Sequence, residues 1–287
     1  IRSMYESLGG PVVVFGPSNF PYAFNAVSGG DFAAAVAAGN PVIAKGHPGH
    51  PGTTKLLAEA AFEAVQATDV PASTVQMIYH MEESSGLRLV AHPQVGASAF
   101  TGSRRAGLAL KEAADRAGNP IYLEMSSVNP VFVLPGALRE RMESIADALF
   151  HSCSLGTGQF CTKPGLVILM DSDRNESFLG AVAKRFAHPP GVLLGDDGMH
   201  AIAETVEALQ EAGADLVAGG HPVKGGGFRY ANSLLRVSGE TFLSNAEALQ
   251  SEAFGVVSLM VLTEDVEQME AIARSLEGNL TGSFYTH

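Results

Sequence analysis

The 287-residue sequence lacks tryptophan, has only two cysteines and carries few basic residues. The two cysteines, Cys153 and Cys161, are too few for a disulfide framework, so we expect a cytoplasmic protein in which each thiol serves packing or chemistry. With 18 basic and 30 acidic residues the formal net charge is −12, which argues against nucleic acid or an anionic membrane as a partner. No apolar run approaches the length that crosses a bilayer. An anionic cofactor remains possible, because a small pocket can be locally positive inside an acidic protein.

The composition and length indicate two α/β domains. A chain of 287 residues is longer than one hydrophobic core normally serves, and 46% of its residues are hydrophobic, which is enough for two cores. In the first part, short apolar runs alternate with Ala-rich stretches, which is typical of a doubly wound parallel sheet. We predict strands at Val12–Phe15, Val42–Lys45, Val75–Tyr79, Ala97–Thr101 and Ile121–Glu124, and helices at 32–38 (N-capped by Asp31), about 53–66, and 103–116.

A second α/β unit follows a boundary that we expect near Met125–Pro130, which divides the chain into 1–126 and 127–287. In the second unit we predict strands at Leu166–Met170 and Val256–Leu262, and helices at about 138–153, 176–186, 199–212 and 267–276. The last residues, Leu280–His287, read as a strand cut short, and position 1 is not methionine. We therefore expect a fragment, or the visible part of a longer chain, that lacks N- and C-terminal segments.

Cys161 is the first candidate for chemistry. It follows Gly156 and Gly158 and precedes Pro164, so it lies in tight backbone rather than in a regular helix. Such backbone can expose a thiol and direct N–H groups at it, which lowers the thiol pKa and stabilises an oxyanion. The alternative for any cysteine is a small buried side chain, and that is the role we assign to Cys153.

Polar residues at strand ends are further candidates. Glu124 closes an apolar strand, where open α/β sheets form their active crevice, and could act as a general base or be an ordinary solvated carboxylate. The Gly102–Ser103 pair at a strand-to-helix junction suits a pyrophosphate, although it lacks a GxGxxG pattern and could be a simple N-cap. Lys45 could hold ribose or phosphate, and Asn19 could donate an amide N–H to an oxyanion or cap a turn.

Two other classes of site fit the sequence poorly. The histidines His47, His50, His80 and His92 fall in loops at irregular spacing, without a Cys cluster, so no metal site is expected. The G-x-S-x-G elbow of a serine hydrolase is absent from the sequence.

Taken together, six segments in order resemble the aldehyde dehydrogenase superfamily over nearly the whole length. Pro17–Pro21 resembles its P-W-N-F-P segment with Ser18 at the tryptophan position, Gly39–Lys45 its G-N-(x)-V-V-x-K strand, Phe100–Ser103 its F-T-G-S turn, Leu123–Pro130 its E-L-G-G-K-N-P segment, Gly158–Cys161 its G-Q-x-C nucleophile segment, and Ser251–Gly255 its E-x-F-G-P segment.

The resemblance implies a fold and a set of roles. The fold would be a Rossmann-type, dinucleotide-binding domain over 1–126 and a nucleophile-bearing α/β domain over 127–287. Cys161 would attack an aldehyde, Asn19 and the Cys161 N–H would hold the oxyanion, and Glu124 would activate water. The cofactor contacts would come from Phe15 (through its backbone), Lys45, Gly102, Ser103, Glu252 and Phe254. The complete protein would be a homodimer or homotetramer and would need no metal.

A closer resemblance is to the branch that contains α-ketoglutarate semialdehyde dehydrogenases and related NADP-using enzymes. Segments Lys45–Gly52, Glu124–Met125, Ser127–Pro135 and Gly158–Gly165 are similar to that branch. Where NAD-preferring relatives carry a glutamate three residues after the lysine, this sequence has Pro48. Without that carboxylate, a ribose hydroxyl partner and a repulsion toward a 2′-phosphate are both lost, which favours NADP and leaves use of NAD open. A dicarboxylic semialdehyde would need a cationic anchor, for which Arg104, Arg105 and Lys163 are candidates.

Two alternatives stay open at this stage. The chain could be a truncated cofactor-binding or assembly module that keeps the fold without the activity. It could also be a CoA-acylating dehydrogenase, although such relatives commonly lack the glutamate that Glu124 supplies.

Overall fold

The computed structural model of this protein describes residues 6–287. The chain divides into two compact units, Ile1–Ser126 and Ser127–His287. Among the described residues, no helix combines the length and the apolar content that crossing a membrane requires.

The first unit is built on a five-stranded parallel sheet, as the alternation of apolar runs predicts. Its strands lie in the order β3-β2-β1-β4-β5. They are β1 (Val12–Phe15), β2 (Val42–Lys45), β3 (Val75–Ile78), β4 (Ala97–Gly102) and β5 (Ile121–Met125). The helices are α1 (Gly30–Ala37), α2 (Pro51–Gln66), α3 (Glu83–Val90) and α4 (Arg104–Ala117).

The central strand β1 shows why both faces of this sheet are covered. Its side chains alternate between the faces, and all four residues are buried. Val12 and Val14 pack into one cluster with Ala35 of α1, whereas Val13 and Phe15 pack into another with Leu110 of α4. A strand buried on both sides reads as an uninterrupted apolar run, which is the pattern of residues 12–15.

One local prediction in this unit needs correction, and one helix was not predicted. Helix α1 begins at Gly30 after Gly29, so Asp31 is not the N-cap but lies in the first turn, where its carboxylate interacts favourably with the helix dipole. Helix α3 was not predicted, because the run Ser84–Gly86 inside it has poor helix propensity. Its buried residues, Gly86 and Val90, show that packing stabilises it.

The second unit contains a six-stranded sheet in the order β11-β6-β7-β10-β9-β8, in which only the β8–β9 pair is antiparallel. The strands are β6 (Val131–Val133), β7 (Leu166–Met170), β8 (Asp215–Ala218), β9 (Ser233–Ser238), β10 (Val257–Thr263) and β11 (Ser283–Tyr285). The helices are α5 (Pro135–Ser154), α6 (Asn175–Phe186), α7 (Asp196–Glu211), α8 (Gly239–Ser244), α9 (Ala246–Leu249) and α10 (Val266–Ser275).

Most predicted elements of this unit are present, with shifted ends. Strand β7 has the predicted bounds, and the predicted terminal strand is β11, which pairs with β6. Helix α5 begins three residues earlier than predicted, at Pro135, because proline is well suited to the first helical turn. Strands β6, β8 and β9 were not predicted.

Candidate active site

The first group of predicted site residues lies at the carboxyl edge of the parallel sheet in the first unit. Phe15 and Lys45 are the last residues of β1 and β2 and are directly paired in register. Gly102 is the last residue of β4, and Glu124 is the penultimate residue of β5, paired with Thr101. Because all five strands run parallel, their carboxyl ends share one edge, which is where open α/β sheets bind ligands.

Lys45 places an ammonium group at this edge of the sheet. Partial burial lowers the pKa of the Lys45 ammonium. Two residues further on, His47 has a pKa lowered to about 4, first by desolvation and then by the charges of His50 and Lys45. His47 is therefore neutral at physiological pH and adds no positive charge to that of Lys45.

The Gly102–Ser103 turn leads directly into α4. The Ser103 hydroxyl accepts the Ala106 N–H at 3.4 Å and so caps the helix. The Arg104 N–H donates to Ser126 Oγ at 3.3 Å, which links the start of α4 to the end of β5. Ser103 therefore serves as an N-cap, and the turn presents the positive end of a 14-residue helix at the edge of the sheet.

Asn19 lies in the loop that follows β1 and is half-buried. The loop continues from the same strand end as Phe15, so Asn19 belongs to the carboxyl edge of the sheet as well. The first unit thus brings six of the predicted site residues to the carboxyl edge of its sheet. They are Phe15, Asn19, Lys45, Gly102, Ser103 and Glu124.

Cys161 lies in the second unit, shortly after a turn whose backbone is left-handed, unlike that of an α-helix. After α5 ends, Gly156, Thr157 and Gly158 have φ values of 55°, 59° and 71°. This left-handed conformation is costly for L-residues other than glycine, so the surrounding structure must hold Thr157 in it. The half-buried Cys161 follows three residues later. The predicted tight backbone is therefore present.

Asn129 fixes the main chain at this cysteine and just after it. Its Nδ2 donates to the Cys161 carbonyl at 2.8 Å and to the Lys163 carbonyl at 2.9 Å. Asn129 itself has φ of 48°, a conformation that asparagine tolerates better than most residues. Its own Oδ1 accepts the N–H and the hydroxyl of Thr281. This residue was part of the recognised segment Leu123–Pro130, but no role was predicted for it.

The segment with Glu252 and Phe254 is joined to the cysteine turn by a buried lysine. Lys163 is 2% exposed, and its Nζ donates to the carbonyls of Ala253 at 3.0 Å and Val257 at 2.8 Å. Burial lowers the pKa of its ammonium, against the opposite effects of Glu252 and Cys153. Lys163 is thus a structural link rather than the substrate anchor considered from sequence.

Glu252 is also positioned by the main chain of the same unit. The Ser127 N–H donates to Glu252 Oε2 at 3.2 Å. Phe254, two residues on, is half-buried. The second unit therefore brings Cys161, Glu252 and Phe254 together through short links between their segments.

The closest of these links is a backbone contact between Gly158 and Gly255. A Cβ built on Gly158 would lie 2.2 Å from the carbonyl carbon of Gly255. No side chain fits at this point, and the positive φ of Gly158 also favours glycine. The cysteine turn and the segment after Glu252 are therefore packed main chain against main chain.

Cys153 has the packing role expected from sequence. It is fully buried, and its Sγ donates to the Pro164 carbonyl at 3.3 Å. Burial raises the pKa of this thiol, which keeps it protonated and unreactive.

Comparison with known proteins gives one consistent family. The family model described as "Aldehyde dehydrogenase family" matches residues 2–287. Alpha-ketoglutaric semialdehyde dehydrogenase 2 of Azospirillum brasilense is 40% identical over 284 residues, which cover 96% of this chain and 52% of the relative. Alpha-ketoglutaric semialdehyde dehydrogenase of Acinetobacter baylyi is 37% identical over 279 residues, with 96% and 52% covered.

Solved structures show the same fold. The crystal structure of PnpE in complex with nicotinamide adenine dinucleotide matches with a TM-score of 0.79 at 22% identity, and the match covers 98% of this chain and 57% of PnpE. The chain thus spans about half the length of the curated relatives that it matches.

The environment of His47 predicts a pH-dependent stability. Its folded pKa of about 4 lies below its ordinary value of 6.5, so between these values the unfolded chain binds more protons than the folded chain. The free energy of unfolding should therefore fall as the pH is lowered from 6.5 to 4. A His47→Asn variant should lose this part of the decline, measured by urea unfolding at several pH values. His80→Asn serves as the control, and identical pH profiles for His47→Asn and the wild type would contradict the assignment.

Proposed function

Because this chain belongs to the aldehyde dehydrogenase family, we propose that it oxidises an aldehyde to a carboxylic acid with a nicotinamide cofactor and the thiol of Cys161. The observation that carries the proposal is the left-handed turn before Cys161, which holds a half-buried thiol beside a main chain bonded to Asn129. Of the two thiols in the chain, only this one combines partial exposure with such backbone. In this proposal, residues 1–126 bind the dinucleotide and residues 127–287 carry the nucleophile.

The chain's own residues would perform the chemistry as follows. The Cys161 thiolate attacks the aldehyde carbon, and the Asn19 amide and the Cys161 N–H hold the resulting thiohemiacetal oxyanion. A nicotinamide held by Glu252 and Phe254 would supply a hydride acceptor for that carbon, and loss of the hydride would leave a thioester on Cys161. Glu124 then takes a proton from water as the water oxygen attacks the thioester, and the Cys161 thiolate departs from the carboxylic acid product.

The residues at the sheet edge fit an anionic dinucleotide. A half-buried ammonium such as that of Lys45, whose pKa is lowered by desolvation, gains from a nearby anion. The N-terminus of α4 adds the positive end of a helix dipole, which favours a phosphate group. We propose that the cofactor is held by the backbone of Phe15 and by Lys45, Gly102 and Ser103 around the adenosine and pyrophosphate, and by Glu252 and Phe254 around the nicotinamide ribose.

A semialdehyde such as α-ketoglutarate semialdehyde is the proposed substrate. The support is the similarity to two proteins that carry the name alpha-ketoglutaric semialdehyde dehydrogenase, at 40% and 37% identity. The two arginines that were candidates for a cationic anchor both lie in the first turn of α4, where Arg105 is exposed and faces Glu83 at 3.8 Å.

Replacement of the nucleophile tests the central proposal. Cys161→Ala should lower the rate of aldehyde oxidation by a factor on the order of 10⁴ or more, because removal of a nucleophile leaves only binding and oxyanion effects. Cys153→Ala is the matched control and should retain activity. Steady-state rates of the complete gene product with a panel of aldehydes measure the effect.

Iodoacetamide labelling separates this proposal from a non-catalytic module. The proposed enzyme should be alkylated rapidly at one thiol, which is lost in Cys161→Ala, kept in Cys153→Ala and protected by aldehyde. A slowly reacting Cys161 without aldehyde protection would favour a module that keeps only the fold.

Glu124→Gln should separate the two halves of the reaction. The amide cannot take a proton from water, so thioester hydrolysis should slow by about 100-fold, within the range for loss of a general base. Hydride transfer should remain fast, which gives a burst of reduced cofactor on rapid mixing. Glu59→Gln, at an exposed position of α2, is the control. Equal slowing of both steps would reject the role of Glu124, and acceleration by CoA would point to an acylating enzyme.

Pro48 leads us to propose NADP as the preferred cofactor, with NAD also used. Pro48→Glu places a carboxylate three residues after Lys45, which should repel a 2′-phosphate and accept a bond from a 2′-hydroxyl. The ratio of kcat/KM for NADP to that for NAD should fall by about tenfold, or roughly 1.4 kcal/mol. Pro48→Gln is the uncharged control. An unchanged ratio in Pro48→Glu would show that position 48 does not face the ribose.

A further inference from the structure

The loop with Asn19 is held at both ends by side chains that the function has not yet used. The loop, Pro17–Pro21, follows β1 and begins and ends with proline. Its first carbonyl, that of Pro17, lies 2.9 Å from His50 Nε2. Its last carbonyl, that of Pro21, accepts a hydrogen bond from Asn25 Nδ2 at 3.0 Å.

The two side chains that hold these carbonyls are joined by Thr54. Asn25 Nδ2 also donates to Thr54 Oγ1 at 3.1 Å, and Thr54 Oγ1 lies 3.1 Å from His50 Nδ1. Asn25 is 1% exposed and Thr54 is 0% exposed. Asn25 follows the loop, His50 directly precedes α2, and Thr54 lies in the first turn of α2. Their side chains form one chain of hydrogen bonds, which we name the Asn25–Thr54–His50 network.

The carbonyls at the two ends of the loop fix the direction of the hydrogen bonds that hold them. The Pro17 carbonyl can only accept, so His50 Nε2 must carry the hydrogen. Thr54 Oγ1 accepts from Asn25 Nδ2 and donates its hydrogen to the His50 carbonyl at 3.2 Å, and the same oxygen lies 3.1 Å from His50 Nδ1. The remaining acceptor of Asn25, Oδ1, takes the Val27 N–H at 3.2 Å. Each of the three side chains is thus held by hydrogen bonds within the network or to nearby main chain, which restrains its position.

We infer that the Asn25–Thr54–His50 network positions the Asn19 side chain for oxyanion binding, so that His50, Thr54 and Asn25 are positioning residues of the reaction. The inference rests on the proposed function, in which Asn19 is the oxyanion donor. Oxyanion donors act because they are preorganised, and a misplacement of about 1 Å can cost about 100-fold in rate. A five-residue loop outside regular secondary structure needs such support, and proline at each end restricts it further.

A purely structural network would behave differently when it is removed. Loss of a support that merely stabilises the first unit lowers the free energy of unfolding and slows the reaction equally whether or not Asn19 is present. Loss of a support that acts through Asn19 slows the reaction only while the Asn19 amide is there to be misplaced. A double-mutant cycle distinguishes the two cases.

The test compares His50→Phe with His50→Gln in the wild-type and Asn19→Ala backgrounds of the complete gene product. Phenylalanine cannot donate to the Pro17 carbonyl, whereas the glutamine amide can. We expect His50→Phe to lower kcat for aldehyde oxidation by about tenfold, equivalent to about 1.4 kcal/mol, with little change in aldehyde KM. His50→Gln should restore part of that loss. In the Asn19→Ala background, His50→Phe should change kcat by less than about twofold.

Alkylation of Cys161 by iodoacetamide provides a readout that the oxyanion donor does not control. The displacement of iodide forms no oxyanion, so the alkylation rate should stay at the wild-type value in His50→Phe while aldehyde turnover falls. Thr54→Val, which keeps the shape of the side chain but removes its hydroxyl, should behave like His50→Phe, and Thr54→Ser should behave like the wild type. His80→Phe is the surface control.

Three outcomes would overturn the inference. They are an equal loss of kcat in both backgrounds, a His50→Gln variant as slow as His50→Phe, and an alkylation rate that falls in step with turnover. Failure of the proposed function gives a different result, since Asn19→Ala would then leave kcat unchanged or Cys161 would not react in the wild type.

Discussion

The candidate site depends on one constraint, which is that a buried backbone carbonyl must find a donor even where no helix or strand supplies one. The segments that carry Cys161, Asn19 and Glu252 are all irregular, so their carbonyls cannot be paired by a ladder. Buried side chains supply the donors instead. Asn129 bonds the carbonyls of residues 161 and 163, and Lys163 bonds those of residues 253 and 257. Polar side chains thus hold these irregular segments in place where secondary structure does not.

Lys163 illustrates how a charge is kept in such an interior. Removal of an ammonium from water is costly unless it is hydrogen-bonded and near an opposite charge. Lys163 has both, since two carbonyls accept from its Nζ and the charge of Glu252 acts in its favour. A residue that looks like a surface anchor in the sequence is therefore an internal support.

The sequence predicted elements and residues whose signal is local. Strands β1 and β7 were found because they are buried on both faces and read as apolar runs. The Cys161 turn was found because glycine and proline surround it. Strand β9 was missed because its pairing with β10 is remote in sequence, and it contains Arg236 and two serines. Asn129 and the Asn25–Thr54–His50 network were missed for the same reason. Asn129 lies 32 residues from Cys161, and His50 lies 33 residues from Pro17. Only the asparagine before Pro130 offered a local hint, as a residue that tolerates positive φ.

The contact between Gly158 and Gly255 has a consequence for anyone who redesigns this protein. No atom can be inserted between the two main chains. A change in the backbone around Gly255 therefore also shifts the turn before Cys161. Libraries that vary residues 252–255 would thus also sample new positions of the turn before Cys161. A screen of such variants should therefore also measure the reactivity of Cys161, because the contact between Gly158 and Gly255 couples the two segments.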